Sequence, residues 1–173
     1  MNPIISAGVL IGVLCSAFTF VMGFTGWYKD PALSQSLYIP VVMLLEIGGL
    51  VWGLRRTAAQ GRAYTGQILA GTMMAIVAGV IIVASSLLFT TVVFPNYFTE
   101  FEQATRAAMQ RQGASEADIA KAIQATAAAQ TPMGQAMAGF LGTLITGIIA
   151  SAIIAIFVRS RPDRIRARPH LPS

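Results

Sequence analysis

Charge is scarce in this sequence. Only 11% of its 173 residues are Asp, Glu, Lys or Arg, against about 25% in an ordinary soluble domain. Apolar residues make up 55%, and the mean hydropathy is +0.66. That balance excludes a water-soluble globular domain and points to a membrane. Cysteine is nearly missing: Cys15 stands alone, so neither a disulfide framework nor a cysteine-ligated metal is available. His170 is the one histidine, which leaves nothing for a His-ligated metal or a His-based acid–base pair. Nowhere does the chain carry GxSxG, HExxH, CxxC or a glycine-rich phosphate loop ending in lysine. Serines and threonines are plentiful in the apolar runs, but no Lys or His lies near enough in the pattern to activate one. The expectation is a protein that is not an enzyme and uses no cofactor and no metal.

What the sequence does contain is four apolar stretches, at about 4–24, 37–54, 68–93 and 137–158. Three of them carry no charge. A helix rises about 1.5 Å per residue, so about 20 apolar residues cross a bilayer core. The predicted fold class is therefore all-α: a polytopic membrane protein with four transmembrane helices at about 4–26, 35–54, 66–94 and 133–158. These form one membrane domain over residues 1–160, followed by a basic tail over 161–173. The first stretch has no basic residue before it and is too long for the core of a signal peptide, so it is expected to be retained.

Arginine distribution orients the spans. Arg55, Arg56 and Arg62 lie between the second and third, and Arg159, Arg161, Arg164, Arg166 and Arg168 follow the fourth. With four spans, all eight fall on one side. The other side has Lys29, Arg106, Arg111 and Lys121, interleaved with acids. The positive-inside bias then places both termini in the cytoplasm, with Arg55, Arg56, Arg159 and Arg161 as the cytoplasmic anchor. A net charge of +5 raises the question of nucleic acid. The basic residues sit at span ends and the tail has no aromatics to stack, so no nucleic-acid partner is expected.

The connection between the third and fourth spans is too long to be only a connector. Pro95-Asn96 breaks the third span, and Phe98, Phe101, Ala104 and Ala108 then recur at helical spacing. Gly113 stands where a left-handed residue ends a helix. Ser115 followed by Asp118 resembles a capping box, and Thr131-Pro132 is a good start for the last span. The prediction is an extracytoplasmic helical hairpin over about 97–130, either a solvated spacer or a docking surface.

Tyr38…Met43…Gly53-Leu54-Arg55-Arg56, Gly61…Tyr64-Thr65-Gly66-Gln67-Ile68, the loop segment 113–120 and the run 140–147 carry a family likeness. Together they resemble a bacterial domain-of-unknown-function family of small four-span inner-membrane proteins. The resemblance implies an integral membrane protein of unknown activity in the bacterial inner membrane, and it transfers no functional residue. Glu46 departs from it, standing where a small or apolar residue is expected.

Glu46 is also the one acid deep within a span. An ionisable group at that depth costs about 2.5–3.5 kcal/mol or more, and so marks a candidate intramembrane polar site. Gly49 and Gly53 share its helix face, which directs it into the bundle as a neutral carboxyl. Candidate partners are the hydroxyls of Ser16, Thr19, Thr72, Ser85, Ser86, Thr143 and Thr146, some of them. Three readings stay open: a hydrogen-bond tie between helices, a proton or cation site, or an acid in a wet cleft. The fourth stretch has two ladders of small residues, one through Gly134, Ala138, Gly142, Thr146 and Ala150, the other through Gly139, Thr143, Gly147, Ser151 and Ala155. Gly71 and Gly79 repeat the spacing in the third. Such seams let helices approach closely, within one chain or between copies. The leading expectation is a structural or interaction component whose partners are the lipid bilayer and another membrane protein or itself. The alternative is a small oligomeric transporter or channel using Glu46.

Overall fold

A computed structural model describes residues 2–158. The basic tail over 161–173, with Arg159 and Arg161, lies outside the described residues. Six helices follow one another: α1 Pro3–Thr25, α2 Pro31–Ala58, α3 Tyr64–Leu88, α4 Tyr97–Arg111, α5 Glu116–Thr126 and α6 Pro132–Val158. No strand occurs among the described residues.

Local chemistry sets most boundaries. Asn2 and Asp30 accept backbone N–H groups at the starts of α1 and α2, each just ahead of a proline at the first helical position. Gly26 ends α1 at φ +72°, a left-handed conformation that a Cβ would oppose. Gly113 does the same after α4 at φ +79°. The Ser115 hydroxyl accepts the Asp118 N–H at 3.2 Å, and that of Thr131 accepts the Gly134 N–H at 3.0 Å. At its far end α3 widens into a single π turn over Phe89–Val93, with the Phe94 N–H donating to the Phe89 carbonyl at 2.8 Å. Pro95 then stops the helix.

α1, α2, α3 and α6 are long and apolar enough to cross a membrane, α3 together with its π turn. Their surface is inverted relative to a soluble protein. Leu44 is 70% exposed and Phe157 82%, while Gln67, Thr57 and Ser151 are fully buried. Large apolar side chains outside and polar ones inside are what a hydrocarbon solvent requires. The chain is a multi-pass membrane protein.

α3 is the hub, with small residues on two faces. On one side Gly8 and Gly12 of α1 meet Val77 and Ile81. On the other, Gly71 lies against Ser151 of α6, Gly79 against Phe140, and Gly147 of α6 against Ala75. α2 closes the bundle at the end that carries the termini. There Gly49 lies against Ile11 and Gly53 against Ala7 and Met74, and Ile11, Leu50, Leu54 and Met74 are fully buried. Gly139 has only Ile82 near the position of a Cβ, at 3.2 Å.

Gly142 departs from the expected seam. A Cβ there would meet nothing within 4 Å. Within the chain the packing expected at Gly142 is not made, and the residue lines a cavity between α2 and α6 instead.

At the opposite end the α4–α5 hairpin is held by aromatic rings. Phe89 packs against Phe20, Phe94 and Tyr97 with ring centroids 5.5, 4.7 and 5.2 Å apart, and Tyr28 lies 5.1 Å from Tyr97. A polar clip sits beside them: the Tyr28 hydroxyl donates to Glu100, and Lys29 Nζ lies 3.1 Å from the same carboxylate. The Tyr28 hydrogen bond, and then Lys29, hold the Glu100 carboxyl below its ordinary range. Burial first, and then the bond to Glu100, push the Tyr28 hydroxyl up to about 12. A depressed carboxyl contributes stability above its unfolded value and loses it as pH falls through the folded one. The protection factors of α4 amides, the exchange rates taken relative to the unstructured chain at each pH, are therefore expected to stay constant from neutral pH down to about 4, the unperturbed carboxyl range, and to fall only below it. Loss of protection beginning well above that range would show that the clip does not hold the hairpin.

Candidate functional site

The cavity where α2 and α6 part has a volume of about 510 Å³, within the range of about 300–1,000 Å³ typical of ligand sites. It occupies the hairpin half of the bundle. Cys15, Ser16, Thr19 and Phe20 come from α1, and Ile82, Ser85 and Ser86 from α3. α2 contributes Tyr38, Ile39, Val42, Met43 and Glu46. α6 contributes Gln135 at the hairpin end, then Ala138, Gly139, Gly142, Thr143 and Thr146 along its length.

Helical periodicity explains this wall. On α2, positions 38, 42 and 46 are spaced by four and share one face, with 39 and 43 beside them. On α6, positions 138, 142 and 146 do the same. The two small-residue ladders of α6 differ over part of their length, although Ala150 of the first is buried in the core and Gly139 and Thr143 of the second also line the cavity. Thr143, Gly147, Ser151 and Ala155 are buried, with Gly147 and Ser151 directly against α3, whereas Ala138, Gly142 and Thr146 face the cavity.

Glu46 forms the floor. It is 3% exposed, and its Oε1 lies 3.5 Å from where a Cβ on Gly147 would stand. That oxygen has no hydrogen-bond partner. Of the hydroxyls expected as partners, all but Thr72 line the same cavity; Thr72 instead donates to the Ile68 carbonyl at 3.0 Å. None of them reaches Glu46 Oε1, so that atom makes no hydrogen-bond tie between helices. Ser16 Oγ, on the facing wall, is likewise buried and unpartnered. Beyond the floor, toward the termini, Ile11, Leu50, Leu54 and Met74 fill the bundle. The cavity is one-ended.

The other end is polar and aromatic. Thr19 Oγ1 and Tyr38 Oη are 3.2 Å apart, and Thr19 donates to the Cys15 carbonyl at 3.0 Å. Tyr97, the first residue of α4, lies near Gln135. Its hydroxyl is pushed up to about 12 by burial and by the nearby Tyr38, against the effect of Gln135. To the side, the wall is thin: Ile39 and Met43 of α2 are 59% and 42% exposed, and Ala138 and Gly142 opposite them are exposed too. The opening therefore faces the surroundings of the bundle, which for spanning helices is lipid.

Arg55 and Arg56 lie at the other end of α2, both exposed, with the Arg56 guanidinium 4.2 Å from the Trp52 ring centroid. Among the described residues, no group of three or more His, Cys, Asp or Glu is placed to hold a metal ion. The lining supplies one carboxyl, one thiol and several hydroxyls, and no Lys, Arg or His. The i, i+4 positions of the cavity wall were visible in the sequence. That they face a cavity was not, because period alone does not say whether a face meets a neighbour or a void.

No curated protein and no solved structure matches the chain. One family does, over residues 6–160, a stretch that contains the whole cavity wall and all of the bundle but the first residues of α1. Its description is "Protein of unknown function (DUF4199)", in keeping with the resemblance drawn from the span ends and the loop. The chain belongs to the DUF4199 family.

Proposed function

We propose that this protein is a binding component of the bacterial inner membrane, acting by holding a molecule in its cavity rather than by catalysis. The observation that carries the reading is the one-ended cavity with the buried Glu46 at its floor, its Oε1 without a hydrogen-bond partner. Packed interiors leave few voids larger than a water molecule, and buried polar atoms without partners are rare. A cavity of this size with such an atom at its base is built for an occupant. The absence of a Lys or His from its lining supports the non-enzymatic side of the reading. Arginine asymmetry supports an orientation with both termini in the cytoplasm and the hairpin outside.

One preparation tests both halves. Lys29 and Lys121 are the only lysines, and both lie on the hairpin side of the bundle. A membrane-impermeant amine-reactive biotin added to intact cells is expected to label them, read as biotin on the peptides that carry Lys29 or Lys121 rather than on the N-terminal amine, and to allow recovery of the protein in mild detergent. Native mass spectrometry of the recovered protein should then show the chain with a small molecule retained. Labelling that requires broken cells overturns the orientation. Labelled protein that carries no small molecule, alone or with another protein, overturns the binding reading.

A further inference from the structure

We infer that the cavity takes an amphiphilic cation, with its charged head at Glu46 and its apolar body between α1, α2, α3 and α6. The inference rests on the binding reading above and adds the chemistry of the occupant.

Charge complementarity carries it. Glu46 is the one carboxylate in the cavity, and no basic side chain lines the walls. A buried carboxylate is stable in its charged form only beside a cation. This bundle does not provide that cation, so without an occupant Glu46 keeps its proton, and a cationic occupant is what makes its charged form stable there. Ser16 Oγ, also unpartnered, adds an acceptor to the lining for an ammonium N–H.

The remaining wall favours an apolar body. Val42 and Ile82 line it, and Ile39 and Met43 form one edge of the side opening, with Ala138 and Gly142 as the other. An amphiphile dissolved in the bilayer enters through that gap without crossing water. A neutral amphiphile gains the apolar wall but no charge partner at Glu46. An anionic one finds no positive group anywhere in the lining.

The probes are tetraphenylphosphonium and tetraphenylborate, which share a shape and carry opposite permanent charge. Equilibrium dialysis uses the full chain in nanodiscs of zwitterionic lipid, with empty discs subtracted. The cation is expected to bind saturably, one per chain, and at least tenfold more tightly than the borate. Glu46→Gln should weaken the cation at least tenfold and spare the borate. Gly142→Leu, which projects into the open space, should weaken both. If Glu46→Gln does not fold, the comparison of the two probes on the unsubstituted protein decides. Equal affinity for the two probes, or an unchanged cation affinity in Glu46→Gln, overturns the charge assignment and leaves the binding reading standing. No saturable binding of either probe also overturns it; the binding reading then falls too only if native mass spectrometry finds no retained molecule.

Discussion

Replacing Gly147 by leucine is expected to cost the protein its folded state, whereas the same replacement at Gly142, five positions earlier on α6, should leave it folded. At Gly147 the first added carbon already overlaps the Ala75 side chain of α3, and Glu46 Oε1 stands 3.5 Å away. Neither neighbour yields easily, since Ala75 has no rotamer to change and its backbone belongs to the hub helix. Overpacking a well-filled core costs about 1–3 kcal/mol, and a leucine at a backbone-to-backbone contact belongs at or above the top of that range. Bilayer lipid offers no compensating hydrophobic drive, because close packing is itself what holds the helices together. A total stability of about 5–15 kcal/mol leaves little margin for such a loss. At Gly142 a Cβ meets nothing within 4 Å, and leaving glycine for a better helix former recovers about 0.5–1 kcal/mol. Size-exclusion profiles and thermal melts in detergent read both outcomes. A Gly147→Leu protein that runs monodisperse and melts with the parent would sink the account of this seam.

Phe89→Ala is expected to destabilise the hairpin end by about 3 kcal/mol, the low end of the range for truncating a buried phenylalanine. The lower figure applies because lipid, rather than water, is the alternative surroundings of this ring, so the packing loss remains while the transfer gain shrinks. Phe89 is 2% exposed and touches rings from three other segments: Phe20 on α1, Phe94 beyond the π turn and Tyr97 at the start of α4. Removing it takes away the centre of the aromatic contacts that join the hairpin to the spans, leaving Tyr28 and Lys29 to hold it, and protease sites within 97–130 should open before the bundle melts. Phe157→Ala serves as the comparison. That ring is 82% exposed, and its truncation should stay within about 0.5 kcal/mol. Equal effects at the two positions would mean that the aromatic cluster does not hold the hairpin.

Much of the fold was legible before any contact was known. Four uncharged or nearly uncharged runs of bilayer length demand four helices, because only a helix satisfies its own backbone in hydrocarbon. Pro95, Gly113, Ser115 and Thr131 mark the hairpin, since each acts through its own backbone or its nearest neighbours. Glu46 announced itself by the cost of its depth. α2 nevertheless runs from Pro31 to Ala58, longer than its apolar stretch. Asp30 caps it and the last turn continues past Arg56, and neither feature registers as hydropathy.

The composition of each helix face was thus written in the order of residues, because period and capping are properties of a single segment. Which face meets which was decided only in three dimensions. Nothing in the spacing separates Gly147, pressed against Ala75, from Gly142, open to a void; both belong to equivalent ladders. The difference arises from α2, which packs Gly49 and Gly53 against α1 at one end and leaves α6 at the other. The same holds for Glu46. Its depth could be counted along the chain, but the missing partner of its Oε1 depends on three neighbouring helices stopping short of it at once.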